Sequence, residues 1–523
     1  MDMKTFIQKN REFWSNFSAQ DTTQKILIEE PSIPMIINAN AIFSVILNQA
    51  KSLTPVGLSW DLELLKSYTL TAETISISEL SWLDRKKILL VAIWKFIMAY
   101  ITKDILSFSY DGVKYGDIVY DTYLSQEKVG TIRNINKKIL FLIYRCIRRH
   151  EAIRKTLSKD NFKAVLVSHQ IGISSGVMLR TAIRYGYNGY LRAGHYQSTL
   201  QCFERLDEVY DYEYKPFPAD IDKIIAKLGP DFDKRYNLAF NKQLSGKGSK
   251  DALYAFSQDN KYYTDRDSFT SDFGLDPMKK NVFVMLHALN DHPHSHFRWM
   301  IFKDYYDWFI ETLKFAKKND EVNWIFKQHP SIKFYHTKDV SFDSLFSDCP
   351  KNVIYINENK QVDTRSLLCC ADLIITCTGS AGFELPAMGR IPSVTAGDNF
   401  YTGLGFTLEP KTKEKYFEIL NNAQNIERLT PEQQKRAQAA YMHIYEFSRV
   451  NISACSIASL DEEKSRDQQS WYWNKVIESH EIHKDIIKWQ ICTYIREVTK
   501  PTFKRLNGLQ NYQIEPEVPN YAK

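Results

Sequence analysis

Apolar positions recur three and four apart over residues 85–105 and 135–157, the spacing of one helix face, so the first 160 residues read as a mainly helical front end. From Asn161 the pattern changes. The run KAVLVSH (163–169) has the length and β-branched content of a strand. The loop QIGISSG follows, then a helix from Val177 to about Arg184 and a second short strand, GYLRA (189–193), an order that predicts a parallel βαβ unit. Residues 215–275 are rich in Asp, Lys, Gly and Ser and mark a domain junction. Beyond it NVFVML (281–286), VNWIFKQHP (322–330), NVIYI (352–356) and ADLIITCT (371–378) alternate with helix-patterned segments such as 303–320, which predicts a second doubly wound domain. A helix at 431–449 and amphipathic segments around 466–480 and 483–499 precede a polar tail after Pro501. The expected organisation is an N-terminal domain to 235, a linker over 236–275, a Rossmann-like domain over 276–445, and C-terminal helices and tail over 446–523. The expected fold class is α/β, with two Rossmann-like domains and helical additions at both ends.

Length supports this division, since 523 residues suit two to four units at about 150 residues each. The formal charge of +6 is small for that length and no long Lys/Arg tract stands out, which argues against a nucleic-acid partner. Eight scattered cysteines without a CxxC pair signal neither a disulfide framework nor a zinc site. The first residues, MDMKTFIQKNREFW, lack an apolar signal-peptide core, so a cytoplasmic location is expected. The longest apolar run, Ile88–Ile101, has Lys95 in its middle and falls short of the roughly 20 residues of a membrane span. It reads as a buried helix.

Chemistry concentrates in ADLIITCTGSAGFELPAMGRIPSV (371–394), where an apolar strand ends in a Thr-Gly-Ser-Ala-Gly loop and a short helix begins. Helix-start amides at a strand's carboxyl end are where α/β sheets bind phosphates. Gly379 and Gly382 permit close backbone approach, Thr378 and Ser380 offer hydroxyls, and Glu384 could accept two ribose hydroxyls. The competing reading is an ordinary strand-to-helix turn with Glu384 facing the helix dipole. FKQHPS (326–331) ends a neighbouring strand, and there Lys327 and His329, stiffened by Pro330, are candidate phosphate contacts.

Together these motifs resemble the GT-B glycosyltransferases of bacterial capsule and lipopolysaccharide synthesis, including the capsule Kdo transferases and bacterial sialyltransferases. The matching residues are His329 and Pro330, then Thr378, Gly379, Ser380 and Glu384, then Gly389 and Pro392; the arrangement is also similar to that of the non-hydrolysing UDP-sugar epimerases. The resemblance covers about 120 residues closely. It implies two Rossmann-like domains facing a cleft, a nucleotide-sugar donor (a CMP-linked acidic sugar such as Kdo among the candidates), a glycan or lipid-linked acceptor, and no cofactor or metal. It also implies that LHALNDHPHSHF (286–297) contacts the donor, which brings in His287, Asp291 and His294. Four histidines there invite a metal reading, but no HExxH-like spacing accompanies them.

In the first domain GDIVYDTYL (116–124) resembles a stretch of surface-polysaccharide enzymes, and Asp117, Asp121 and His169 are candidates for the base that activates an acceptor, with His195 weaker. Each also has a structural reading. The DxD triplets at 220–222, 231–233 and 265–267 sit in polar stretches and read as solvated surface. The basic, amphipathic segment 135–155 suits either a core helix or peripheral contact with the inner face of the plasma membrane. An epimerase on the same scaffold and a non-catalytic member of a polysaccharide-assembly complex remain the alternatives.

Overall fold

In the first sheet, β1 (Lys25–Ile28), β2 (Thr54–Leu58) and β3 (Glu73–Ile75) precede a short hairpin, β4 (Ser109–Tyr110) with β5 (Val113–Lys114), and are joined by β6 (Phe162–Val167), β7 (Asn188–Ala193) and β8 (Thr199–Phe203). Their spatial order is β3-β2-β1-β6-β7-β8, parallel except for the antiparallel β8. The second sheet holds β9 (Asn281–Met285), β10 (Asn323–Lys327), β11 (Val353–Ile356), β12 (Leu373–Thr376) and β13 (Ser393–Thr395) in the order β11-β10-β9-β12-β13, parallel throughout. This is a computed structural model describing residues 1–17, 22–194, 198–211, 215–244, 260–329, 332, 335–357, 362–448, 450, 452–454 and 469–506. His195 and Pro330 lie outside the described residues.

The chain divides into two units, one of residues 1–122, 134–213 and 448–523, the other of 123–133 and 214–447. Each is a sheet covered on both faces, which is why its strands are apolar without alternation. In the first unit Ile26, Ile28, Ala164 and Leu166 enter one core while Leu27, Val165 and Val167 enter the opposite one. In the second, Val282, Val284, Trp324, Phe326 and Ile375 face one side and Phe283, Ile325 and Ile374 the other. Each fully buried side chain of this size contributes roughly 1.5–3 kcal/mol of transfer free energy. Local signals agree with the elements. Asp304 caps the helix Tyr305–Ala316 through the Asp307 amide (2.8 Å), and Thr430 with Gln433 forms a capping box ahead of Pro431.

The front end is mainly helical, but it also contributes half of the first sheet, β1 to β3, within residues 25–75, which the helical pattern does not announce. These strands are three to five residues long, too short to show a period. The apolar run Ile88–Ile101 is a helix but not a buried one; within it only Ile88, Ala92 and Ala99 are buried. Its periodicity marked a helix without saying which arc faces the protein.

Candidate functional site

In the second sheet the chain leaves β9 for β10 on one side and later returns to β12 on the other, so the strand order reverses between β9 and β12. The crevice beyond the carboxyl ends of such a pair is where open α/β sheets bind ligands. Here those ends carry the segment after β9, with His287, and the turn after β12, Cys377–Gly382.

His287 braces the turn. Its Nε2 accepts from the backbone amides of Cys377 and Thr378, both at 3.2 Å, and lies 3.1 Å from the Thr376 hydroxyl. The ring stacks on Tyr305 with centroids 4.3 Å apart, and the Tyr305 hydroxyl is 2.8 Å from that of Thr378. Two backbone donors on one ring nitrogen require the neutral tautomer protonated at Nδ1. Burial, assisted by the neighbouring His329, lowers its pKa to about 3. His287 therefore shapes the turn, a role its place in a polar His-rich loop did not reveal.

The glycines of the turn are sterically required. A Cβ on Gly382 would lie 2.0 Å from the Tyr401 hydroxyl, and one on Gly379 2.8 Å from Thr376 Oγ1. Tyr401, fully buried, donates to the Gly379 carbonyl at 2.7 Å, and Ser393 Oγ donates to the Gly382 carbonyl at 2.7 Å. The helix Ala381–Gly389 then starts from Ser380, which is exposed and makes no side-chain cap. Among the described residues the Ser380 and Ala381 amides take no intramolecular partner. They are the orphan donors of a helix start, a ready site for an anion.

Lys327 ends β10, the strand next to β9, and is 7% exposed. Among the described residues its ammonium makes no hydrogen bond or ion pair; burial lowers its pKa to about 8, opposed by the charge of Asp363, which is itself held by Arg365. His329 follows two residues later and is partly exposed. Lys327 and His329 thus leave β10 beside the β9 end that carries His287, and Leu286 N donates to Lys327 O at 2.9 Å. A small cavity of about 220 Å³ lies alongside, lined by Gln328, Phe342, Tyr355 and Asn357 among others, with the Tyr355 hydroxyl donating to Gln328 at 2.7 Å.

Glu384 stands in the first turn of the helix Ala381–Gly389 and receives a hydrogen bond from the Tyr445 hydroxyl, which orients its carboxylate. Asp291 is exposed and His294 partly so. His292 has a positive φ of 47° and, through burial, a pKa lowered to about 4. Among the described residues no group of three or more His, Cys, Asp or Glu is arranged to hold a metal ion. The loop is tied back through Asp398, which accepts from Arg298 N (3.2 Å) and pairs with Lys215 (3.1 Å).

The first unit has its own reversal of strand order, between β1 and β6. His169 is exposed just beyond β6. Asp117 is fully buried and clamped bidentately by Arg180 at 2.8 and 2.7 Å; burial alone would raise its pKa, but the guanidinium outweighs this and holds it below the usual range. A carboxylate so engaged is a poor base. Asp121 is fully buried. Sequence reading passed over Glu29, the residue after β1. It is 4% exposed and accepts from Ser168 N (2.8 Å), Ser175 Oγ (2.6 Å) and Asn40 Nδ2 (3.1 Å). Nearby in the chain to Ser168, Gln170 is buried with neither amide atom partnered among the described residues. The available signal was ILIEE (26–30), an apolar run ending in two acids. The segment Gly172–Gly176 between them and the next helix is a π-helical turn, a feature frequent at functional sites.

No protein-family model matches the sequence, and a search of curated proteins finds no match. Among solved structures the chain is similar to the Thermosulfurimonas dismutans KpsC beta Kdo 2,4 transferase, with 14% identity, a TM-score of 0.34, and coverage of 61% of this chain and 88% of that one. It is also similar to the glycosyltransferase SnogD of Streptomyces nogalater (10%, TM-score 0.24, covering 82% and 96%). A third similarity is to the Neisseria meningitidis UDP-GlcNAc 2-epimerase bound to UDP-GlcNAc (11%, TM-score 0.22, 84% and 99%).

Proposed function

We propose that this chain is a GT-B-type glycosyltransferase that takes a sugar from a nucleotide-sugar donor bound at the β9/β12 switch point. The observation that carries the reading is the meeting, on three adjacent parallel strand ends, of a buried Lys327, of His329, and of a turn braced by His287 and Tyr401 with its helix-start amides unused. Phosphate oxygens would take the Ser380 and Ala381 amides, the Thr378 and Ser380 hydroxyls, and the charges of Lys327 and His329. The Tyr445-oriented Glu384 would accept ribose hydroxyls. As the anomeric bond breaks, negative charge grows on the leaving phosphate, and fixed donors stabilise that charge more than they do the ground state. Since the chain's own cations meet this charge, we expect transfer to proceed in the presence of EDTA.

For the acceptor we propose a glycan or lipid-linked glycan hydroxyl bound at the first unit's β1/β6 switch point. Glu29 or His169 would receive its proton, and Gln170 would supply sugar hydrogen bonds. The resemblance of the His-Pro segment favours a CMP-linked acidic sugar such as Kdo as donor. Transfer assays with CMP-, UDP-, GDP- and dTDP-sugars test the reading: His329→Ala should lose most activity while staying folded. Full activity in that variant would refute the assignment, and conversion of donor without acceptor would identify an epimerase instead.

A further inference from the structure

The helix Trp82–Thr102 is built the wrong way round for a core element. It packs through a narrow stripe of small and medium side chains, Ile88, Ala92 and Ala99, with the helix Lys137–Leu157 as a neighbour. At 100° per residue an apolar arc about 60° wide lies on the opposite side: Leu83 is 61% exposed, Leu90 68%, Trp94 56%, Ile97 42% and Ile101 68%. On the neighbouring helix Phe141 is also exposed, with the Arg145 guanidinium 5.7 Å from its ring centre. Ten large apolar side chains of this one helix stand more than a third exposed, so the feature is a continuous patch rather than scattered surface residues.

Charge identifies what covers it. Over residues 82–103 there are five basic side chains against one acid, Asp84, which is engaged in the helix's own capping box with Ser81. Arg85, Lys86 and Lys87 cluster in the first turns, with Lys86 lying over the Trp82 ring at 3.6 Å, and Lys103 stands at the other end. A second copy docked on this face would set cation against cation at both ends in either orientation. Anionic headgroups beside an acyl layer match both the charge and the apolar arc. No helix among the described residues is long and apolar enough to cross a membrane, which leaves this one to lie on the surface rather than span it. The basic segment 135–155 is the weaker candidate, because its Arg149 is taken up by Glu30.

We propose that the helix Trp82–Thr102 lies in the plane of an anionic bilayer surface, with Leu90, Trp94, Ile97 and Ile101 at the headgroup–acyl boundary and Arg85, Lys86, Lys87 and Lys103 among the headgroups. The inference does not depend on the sugar-transfer reading. The test is co-sedimentation of the full chain with phosphatidylcholine vesicles, with and without phosphatidylglycerol, alongside sedimentation velocity of the lipid-free protein. The wild type should bind the anionic vesicles and stay a monomer at the same concentration. A double variant, Leu90→Glu with Ile97→Glu, should bind roughly tenfold more weakly or worse, with its melting temperature unchanged because both positions face solvent. Absence of anionic-vesicle binding, binding undiminished in the double variant, or a wild-type dimer that the double variant dissociates would each overturn the proposal.

Discussion

Replacing Gly382 by alanine sets two effects against each other. Gly382 lies inside the helix Ala381–Gly389, where glycine-to-alanine favours the helix by about 1 kcal/mol. The new Cβ, however, would sit 2.0 Å from the Tyr401 hydroxyl, 2.8 Å from Tyr401 Cζ and 3.0 Å from Thr376 Cγ2. Tyr401 is fully buried among Phe383, Phe400 and Phe406 and cannot swing away without disturbing them. Overpacking of this kind costs about 1–3 kcal/mol, so the steric effect should win. Tyr401→Phe removes the offending oxygen and the bond to Gly379 O, at a cost of about 1 kcal/mol alone. The double variant should then cost less than the sum of the singles by about 1 kcal/mol, a coupling of the size seen for residues in contact. Hydrogen exchange of peptides covering 373–400, read by mass spectrometry, isolates this segment from the other unit, and nucleotide affinity measured in parallel should fall with local stability. A Gly382→Ala protein as stable as wild type or more so, or strict additivity in the double variant, would refute the reasoning.

Further outcomes are expected at four residues. His287→Phe should keep the stack on Tyr305 but leave the Cys377 and Thr378 amides without an acceptor, at about 1–3 kcal/mol each. Because the folded pKa of His287 is about 3 against an ordinary 6.5, the unfolded chain binds the extra proton between those values. Stability should fall as pH drops through that window, by about 1.4 kcal/mol per unit for this group, and His287→Phe should flatten the slope in urea titrations by one proton. Lys327, lowered to about 8, should hold phosphate less well as pH rises through 8, seen as a rising Kd in calorimetry. Lys327→Met should lose roughly tenfold or more in donor affinity without losing stability, since an apolar side chain replaces a buried amine. Asp117→Asn should unfold readily, losing about 3–5 kcal/mol with the buried Arg180 pair broken, whereas Glu29→Gln should stay folded and lose transfer activity while retaining donor binding.

The second sheet was legible because NVFVML, VNWIF, NVIYI and DLIIT are apolar runs rich in β-branched or aromatic residues that recur between helix-patterned segments. The turn Thr378–Glu384 was legible for a different reason: glycines at a strand end mark close backbone approach. What supports that turn was not. Tyr401 and Tyr445 come from segments distant in sequence, and His287 acts through a nitrogen lone pair that no spacing encodes. Asp117 looked like a base until Arg180, 63 residues away, filled its oxygens. Glu29 was hidden because the short β1 lies in a stretch whose stronger pattern is helical. For the helix Trp82–Thr102, composition suggested burial, and only tertiary packing determines which arc is covered.

In the proposed function the strand ends of β9, β10 and β12 hold the diphosphate or monophosphate of a nucleotide sugar. The most direct measurement is calorimetric titration of the full chain with CMP-, UDP-, GDP- and dTDP-sugars, repeated on Lys327→Met and Gly382→Ala at a temperature where both are folded. At least one donor should bind saturably to the wild type, and both substitutions should weaken it by roughly tenfold or more. Failure of every donor to bind, or binding untouched by both substitutions, would contradict the proposed function.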